Sequence, residues 1–309
     1  MPDDLDPDIR VFHRRVMADY ARHGADGPVD VADRRRIAAL VREPWNIGGP
    51  VMASTRELQV GGVRVRLHRP GDAPDLPVLV YLHGGGWVLF SIDTHDRLMR
   101  DYAARSGCAV LGVEYSLSPE ARYPQALNEI DAVLGWLRAE GAALGLDPQR
   151  IAIGGDSAGG NLSLATALRL RDTGRDWISA MLLNYGAFDT ARCASHARFD
   201  SDDYILNPDE MDAFWDDYLG DADRNDPYVR PLLADLTGLP PAFLCIAECD
   251  ILADENRAMA ARLAAAGVAV EARVYPGATH SFIEAASIAP LAARAIEDAS
   301  RWLAEQLKR

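Results

Sequence analysis

A chain of 309 residues, 49% of them hydrophobic, can bury a sizeable core as one large α/β domain or two smaller ones, which argues against disorder. Its formal net charge of −14, from 32 basic against 46 acidic residues, speaks against nucleic acid or an anionic membrane surface as partner and fits a solvated acidic surface. The acidic start "MPDDLDPDIR" has no apolar signal-peptide core, and no uncharged apolar run is long enough to span a bilayer. Cys108, Cys193, Cys245 and Cys249 follow no zinc-ligand spacing, so they read as reduced thiols of a cytoplasmic protein.

The first residues, to about Trp45, have helical periodicity, with "PDIRVFHRRVMADYARHG" and "DVADRRRIAALVREP" each ending at glycine or proline. "TRELQV" and "VRVRLHRP" then alternate as two antiparallel strands around Gly61 and Gly62. After Pro77 come short, nearly continuous apolar runs: "PVLVYLHG", "CAVLGVEY", "RIAIGGDS", "SAMLLNYG" and "PAFLCIAE". Such runs suit strands covered on both faces. Helical stretches near 93–106, 124–144, 158–172 and 252–266 separate them, "VEARVYPG" adds a last strand, and an amphipathic helix carrying Leu291, Ala295, Ala299, Trp302 and Leu307 ends the chain. The alternation predicts an α/β fold, a mostly parallel sheet of about eight strands with helices on both faces. From about 187 to 240 the alternation stops, and "DDYILNPDEMDAFWDDYLGD" is partly helical without a good strand. Residues 1–50 and this insertion are expected to form a helical cap over a catalytic domain of residues 51–309.

"RIAIGGDSAGGNLSLATALRL" places Gly155-Asp156-Ser157-Ala158-Gly159, a G-x-S-x-G, between an apolar strand ending at Gly154 and a helix. That spacing suits a nucleophile on a tight strand-to-helix turn, with the helix N-terminus aimed at the serine. A plain glycine-rich turn with Ser157 as N-cap is the alternative, and a phosphate loop fits poorly because no G-K-[ST] follows. A serine needs a base. Of the seven histidines, His13 and His23 lie in N-terminal helices, His68 in a strand, His95 at a helix start and His196 in the insertion. His280, in "VYPGATHSFIEA", follows the last strand on a loop, where a base can reach the sheet's C-terminal edge. The third member should be a carboxylate at another strand end, and "PAFLCIAECDILADE" offers Glu248, Asp250, Asp254 and Glu255. Glu248 is still at the strand, and Asp254 and Glu255 can cap the next helix. Asp250, in the turn itself, gives the order Ser157, Asp250, His280.

With "HGGGW" at His83 to Trp87, "GDSAGG" at Gly155 to Gly160, Asp250 before Asp254-Glu255, His280 before Phe282, and "EYSLSPEARYPQALNE" from Glu114, the chain resembles the hormone-sensitive-lipase-like α/β-hydrolase esterases, bacterial acetyl esterases in particular. The resemblance runs from about Val63 to the C-terminus. It implies a Ser157–Asp250–His280 triad, hydrolysis of short-chain acyl esters without a cofactor or metal, and a small-molecule ester and water as the partners. It also implies an oxyanion hole from the N–H groups of Gly85, Gly86 and Ala158, with Gly84 and a backbone-bonded His83 supporting the loop. Ser281 and Ser116 stand where many relatives carry glycine and arginine, which leaves the preferred ester open. An amidase or lactone hydrolase, and a non-catalytic ligand-binding module, are the rival readings, and pairing of the edge strand "VEARVYPG" into a homodimer is a further expectation.

Overall fold

A computed structural model describes residues 4–24 and 29–308. Two helices open the chain, α1 (Pro7–His23) and α2 (Val31–Asn46). Asp6 and Asp30 cap them, each carboxylate accepting first-turn N–H groups. The helix expected to stop at Pro44 continues two residues past it. Proline removes only one late hydrogen bond so close to a helix end.

The sheet has eight strands: β1 (Ser54–Val60), β2 (Val63–Arg69), β3 (Leu76–Leu82), β4 (Ala109–Val113), β5 (Leu146–Asp156), β6 (Ala180–Asn184), β7 (Ala242–Cys249) and β8 (Val270–Thr279). Their order is β1-β2-β4-β3-β5-β6-β7-β8. The hairpin β1–β2 and the β2–β4 pair are antiparallel, and every other neighbour is parallel. β5 runs two residues beyond the expected end at Gly154, because Gly155 still pairs with Leu82 and Asp156 with Asn184. β8 lies at the sheet edge, as its alternation suggests, with Val274 exposed.

Helices α3 (Asp96–Ser106), α4 (Gln125–Glu140), α5 (Ala158–Asp172), α8 (Ala253–Ala265) and α9 (Pro290–Gln306) connect or follow the strands. β4 and β6 are wholly buried and almost entirely apolar, so both faces of the sheet need cover. One apolar cluster includes Leu127, Leu134 and Leu168, and the other Tyr102, Ile296 and Trp302, on opposite sides of the sheet. Between β6 and β7 the chain forms α6 (Ala194–Arg198), α7 (Pro208–Leu219) and short 3-10 turns, with no strand among the described residues. No helix among the described residues is long and apolar enough to cross a membrane, and all four cysteines are unpaired.

Candidate active site

β5 delivers Ser157 at the mouth of α5 with φ +55° and ψ −118°, a conformation costly for a residue with a Cβ. The turn is held by backbone bonds from Ser157 N–H to Asn184 O at 2.9 Å and from Asn161 N–H to Ser157 O at 3.1 Å. Gly159 passes so close to the end of β3 that a Cβ there would run into the Leu82 carbonyl. Ser157 occupies the N-cap position of α5, but its hydroxyl makes no capping bond. Its Oγ lies 2.9 Å from Nε2 of His280 instead.

His280 follows β8, and Asp250 sits in the turn between β7 and α8. Nδ1 of His280 donates to Oδ2 of Asp250 at 2.7 Å, and Leu252 N–H donates to Oδ1 at 3.0 Å. Since an ionised carboxylate only accepts, the neutral ring carries its proton on Nδ1 and offers Nε2 to Ser157 as a base. The Tyr185 ring packs edge-on against His280 at 5.0 Å. All three side chains are buried. Ser281 holds φ +60°, the left-handed conformation in which glycine is cheapest.

The other carboxylates of the β7–α8 segment have different partners. Glu248 accepts the Gly277 N–H at 3.0 Å. Asp254 and Glu255 do not cap α8, whose N-cap position is Leu252. They accept the N–H groups of Ser195 at 2.9 Å and Phe188 at 2.7 Å, tying the insertion to α8.

The "HGGGW" loop leaves β3 with Gly85 at φ +110° and Gly86 at φ +59°. Among the described residues the N–H groups of both glycines donate to no protein acceptor. Ala158 opens α5, so its N–H has no acceptor inside the helix. His83 bonds its own loop, with Nδ1 donating to Gly84 O at 2.8 Å. Its ring stacks on Tyr115 at 4.4 Å, and Tyr115 Oη donates to His83 O at 2.7 Å. Burial, reinforced by His95, lowers the His83 pKa to about 3, so the ring is neutral and structural.

Residues 79–284 match the model of a family described as having the alpha/beta hydrolase fold. The chain belongs to the α/β-hydrolase family. Within that family it lies in the hormone-sensitive-lipase-like carboxylesterase branch. It is similar to a hyperthermophilic esterase from the archaeon Pyrobaculum calidifontis, at 32% identity over 99% of both chains with a TM-score of 0.90. It is also similar to a thermostable esterase from Pseudomonas putida, at 31% identity over 100% of this chain and 99% of the other, with a TM-score of 0.89. An ester hydrolase from the metagenome of Lake Arreo, solved with a bipyridine phosphonate derivative, shares 34% identity over 97% and 98% of the two chains, with a TM-score of 0.90.

The α/β-hydrolase core opens at Ser157 and His280 into a cavity of about 250 Å³. Val16, Met17 and Tyr20 from α1, and Glu210, Met211 and Phe214 from α7, supply walls of that cavity. Beside it lies a charged cluster that sequence reasoning missed. Asp156 accepts from Tyr81 Oη at 2.8 Å and lies 3.4 Å from His95 Nε2, which is 3.9 Å from Glu284. His95, expected only to start a helix, thus turns its ring inward. Arg42 of α2 pairs with Glu284, donates to Ser281 Oγ at 3.4 Å and stacks on Phe90 at 4.4 Å. The ligand atoms of His95, Asp156 and Glu284 lie within 4.8 Å of one another, but Arg42 already brings a cation to this cluster. A clue to Arg42 exists in the sequence, since it falls on the same helical face as Ala38, Val41 and Trp45.

Proposed function

We propose that this carboxylesterase hydrolyses short-chain acyl esters, from acetyl to about octanoyl, through an acyl-enzyme on Ser157. The observation that carries this reading is the continuous hydrogen-bonded path from Ser157 Oγ through His280 to Asp250 at the floor of the cavity. His280 Nε2 takes the serine proton as Oγ attacks the ester carbonyl. The Asp250 carboxylate holds the ring in that tautomer and stabilises the imidazolium. The N–H groups of Gly85, Gly86 and Ala158 receive the developing oxyanion, each worth about 3 kcal/mol in such chemistry. His280 then protonates the leaving alcohol, and the sequence repeats with water as nucleophile to release the acid.

A cavity of about 250 Å³ falls below the roughly 300–1,000 Å³ of sites for larger ligands, which supports small acyl groups. Residues 1–50 and the insertion at about 187–240 act as the cap, because α1, α2 and α7 contribute lining residues around the serine. Hydrolysis of p-nitrophenyl esters from acetyl to octanoyl tests the reading. Turnover should be greatest on the short members, and Ser157→Ala should abolish it while leaving the circular dichroism spectrum unchanged. Activity that survives Ser157→Ala would overturn the nucleophile assignment.

A further inference from the structure

Three carboxylates line the cavity above Ser157, from Asp156, Asp202 and Glu210, and among the described lining residues Arg42 is the only arginine or lysine. Two of these charges are already balanced. Arg42 is taken up by Glu284, Ser281 Oγ and the Phe90 ring. Asp156 is held by Tyr81 Oη and His95. Asp202 is exposed, so water screens it.

Glu210 differs from all of these. It stands in the first turn of α7, where its backbone N–H bonds the N-cap Asn207 at 2.9 Å. Its carboxylate is partly buried, faces the same cavity as Ser157 and His280, and has no hydrogen bond or ion pair among the described residues. Burial, with Asp202 adding to it, pushes its pKa up, and Arg34 beside it pulls the other way. Arg34, however, is 3.5 Å from Asp217 and lies over the Phe214 ring at 5.6 Å. Phe90 and Phe214 each carry an arginine against one face, while Tyr20 of α1, which also lines the cavity, carries none from the described residues.

An unpaired carboxylate in a small cavity with aromatic and methionine walls is a poor surface for a neutral or anionic group, which desolvates the charge without compensating it. A positively charged group compensates it by direct attraction and can also stack on Tyr20. We propose that Glu210 is a specificity-determining residue that selects esters carrying a cationic group, a quaternary ammonium or protonated amine, a short distance from the scissile carbonyl. The inference rests on the ester-hydrolase reading of the same cavity and adds the class of substrate.

Acetylcholine and 3,3-dimethylbutyl acetate provide the test, because they differ in the charge of one atom and scarcely in shape. In the wild-type enzyme kcat/KM for acetylcholine should exceed that for the neutral isostere by about tenfold, the size expected for one partly screened charge pair. Glu210→Gln should bring the ratio down to within about twofold of one. Taking both substrates on one preparation cancels any loss of folded enzyme, and the wild-type ratio needs no variant. A wild-type ratio at or below one, or a ratio that Glu210→Gln leaves unchanged, overturns the inference. If p-nitrophenyl acetate is hydrolysed without that cation preference, the ester-hydrolase reading stands and only the role of Glu210 falls. If no ester is turned over, both fall.

Discussion

Asp250→Asn keeps the shape of the side chain and replaces one acceptor oxygen by a donor NH2. Oδ1 of Asp250 accepts the buried Leu252 N–H at 3.0 Å, so the oxygen of the new amide must stay there. Its NH2 then takes the place of Oδ2, 2.7 Å from His280 Nδ1. An NH2 can only donate, so Nδ1 must become the acceptor and the ring proton moves to Nε2. There it points at Ser157 Oγ, 2.9 Å away, and a base that presents a proton to its nucleophile cannot remove one. The expected loss in kcat is about 10,000-fold, or about 5 kcal/mol of barrier. Asp254→Asn provides the contrast. Asp254 accepts the Ser195 N–H and pairs with Arg257 at 3.1 Å on a partly exposed surface, so less than about threefold should be lost. Steady-state hydrolysis of p-nitrophenyl butyrate, with circular dichroism to confirm folding, reads both variants. Activity of Asp250→Asn within tenfold of wild type, or an equal loss in Asp254→Asn, would refute the tautomer argument.

Arg42→Met should lower stability in urea unfolding by about 3–5 kcal/mol, because it strands the buried carboxylate of Glu284 beside Asp156. Adding Glu284→Gln should recover at least about 1 kcal/mol, and no recovery would mean that the pair is not the reason for the loss. Glu255 bears on pH. Burial pushes its carboxyl well above the ordinary value of 4.5, and Asp189 and Asp250 add to this, against the hydrogen bond from Phe188. A folded-state pKa above the unfolded one means that its contribution to stability is complete below about 4.5 and is lost as pH rises toward the folded value. Glu255→Gln should therefore gain on wild type in thermal unfolding between pH 5 and pH 8, whereas a gap moving the other way contradicts the sign.

The hydrogen-bonded line Ser157–His280–Asp250 was legible because each member lies just past the end of a strand that reaches the same edge of the sheet. Local signals sufficed for each: glycines around Ser157, a turn at Asp250, a loop at His280. The charged cluster gave no comparable signal, since Arg42, His95, Asp156 and Glu284 come from four separate segments. His95 occupies the N-cap position of α3, which by itself suggests exposure, and only the packing of α3 turns its ring toward Asp156. Asp254 and Glu255 mislead for a related reason. Acidic residues in a first helical turn usually answer the helix dipole, but here the 185–241 segment supplies N–H groups that need acceptors.

Asp156 joins the two halves of the candidate site. Its neighbour Ser157 belongs to the turn after β5, while Tyr81, which donates to Asp156, belongs to β3 just before the "HGGGW" loop. A Cβ on Gly84 would run into the Asp156 carboxylate, so the loop needs glycine there to settle against the turn. Burial pushes the Asp156 pKa up, but His95, the Tyr81 hydrogen bond and Arg42 outweigh it and hold the carboxyl below its ordinary value. The ionised group therefore pins loop to turn, fixing the unbonded N–H groups of Gly85 and Gly86 relative to Ser157 Oγ, the preorganisation that the proposed oxyanion hole requires. A fixed negative charge one residue from Ser157 would by itself oppose the oxyanion of the proposed reaction. His95 from the start of α3 offsets that charge first, and Arg42 of α2, although paired with Glu284, adds to it, so α2 contributes to the electrostatics of the candidate site as well as to the wall of the cavity.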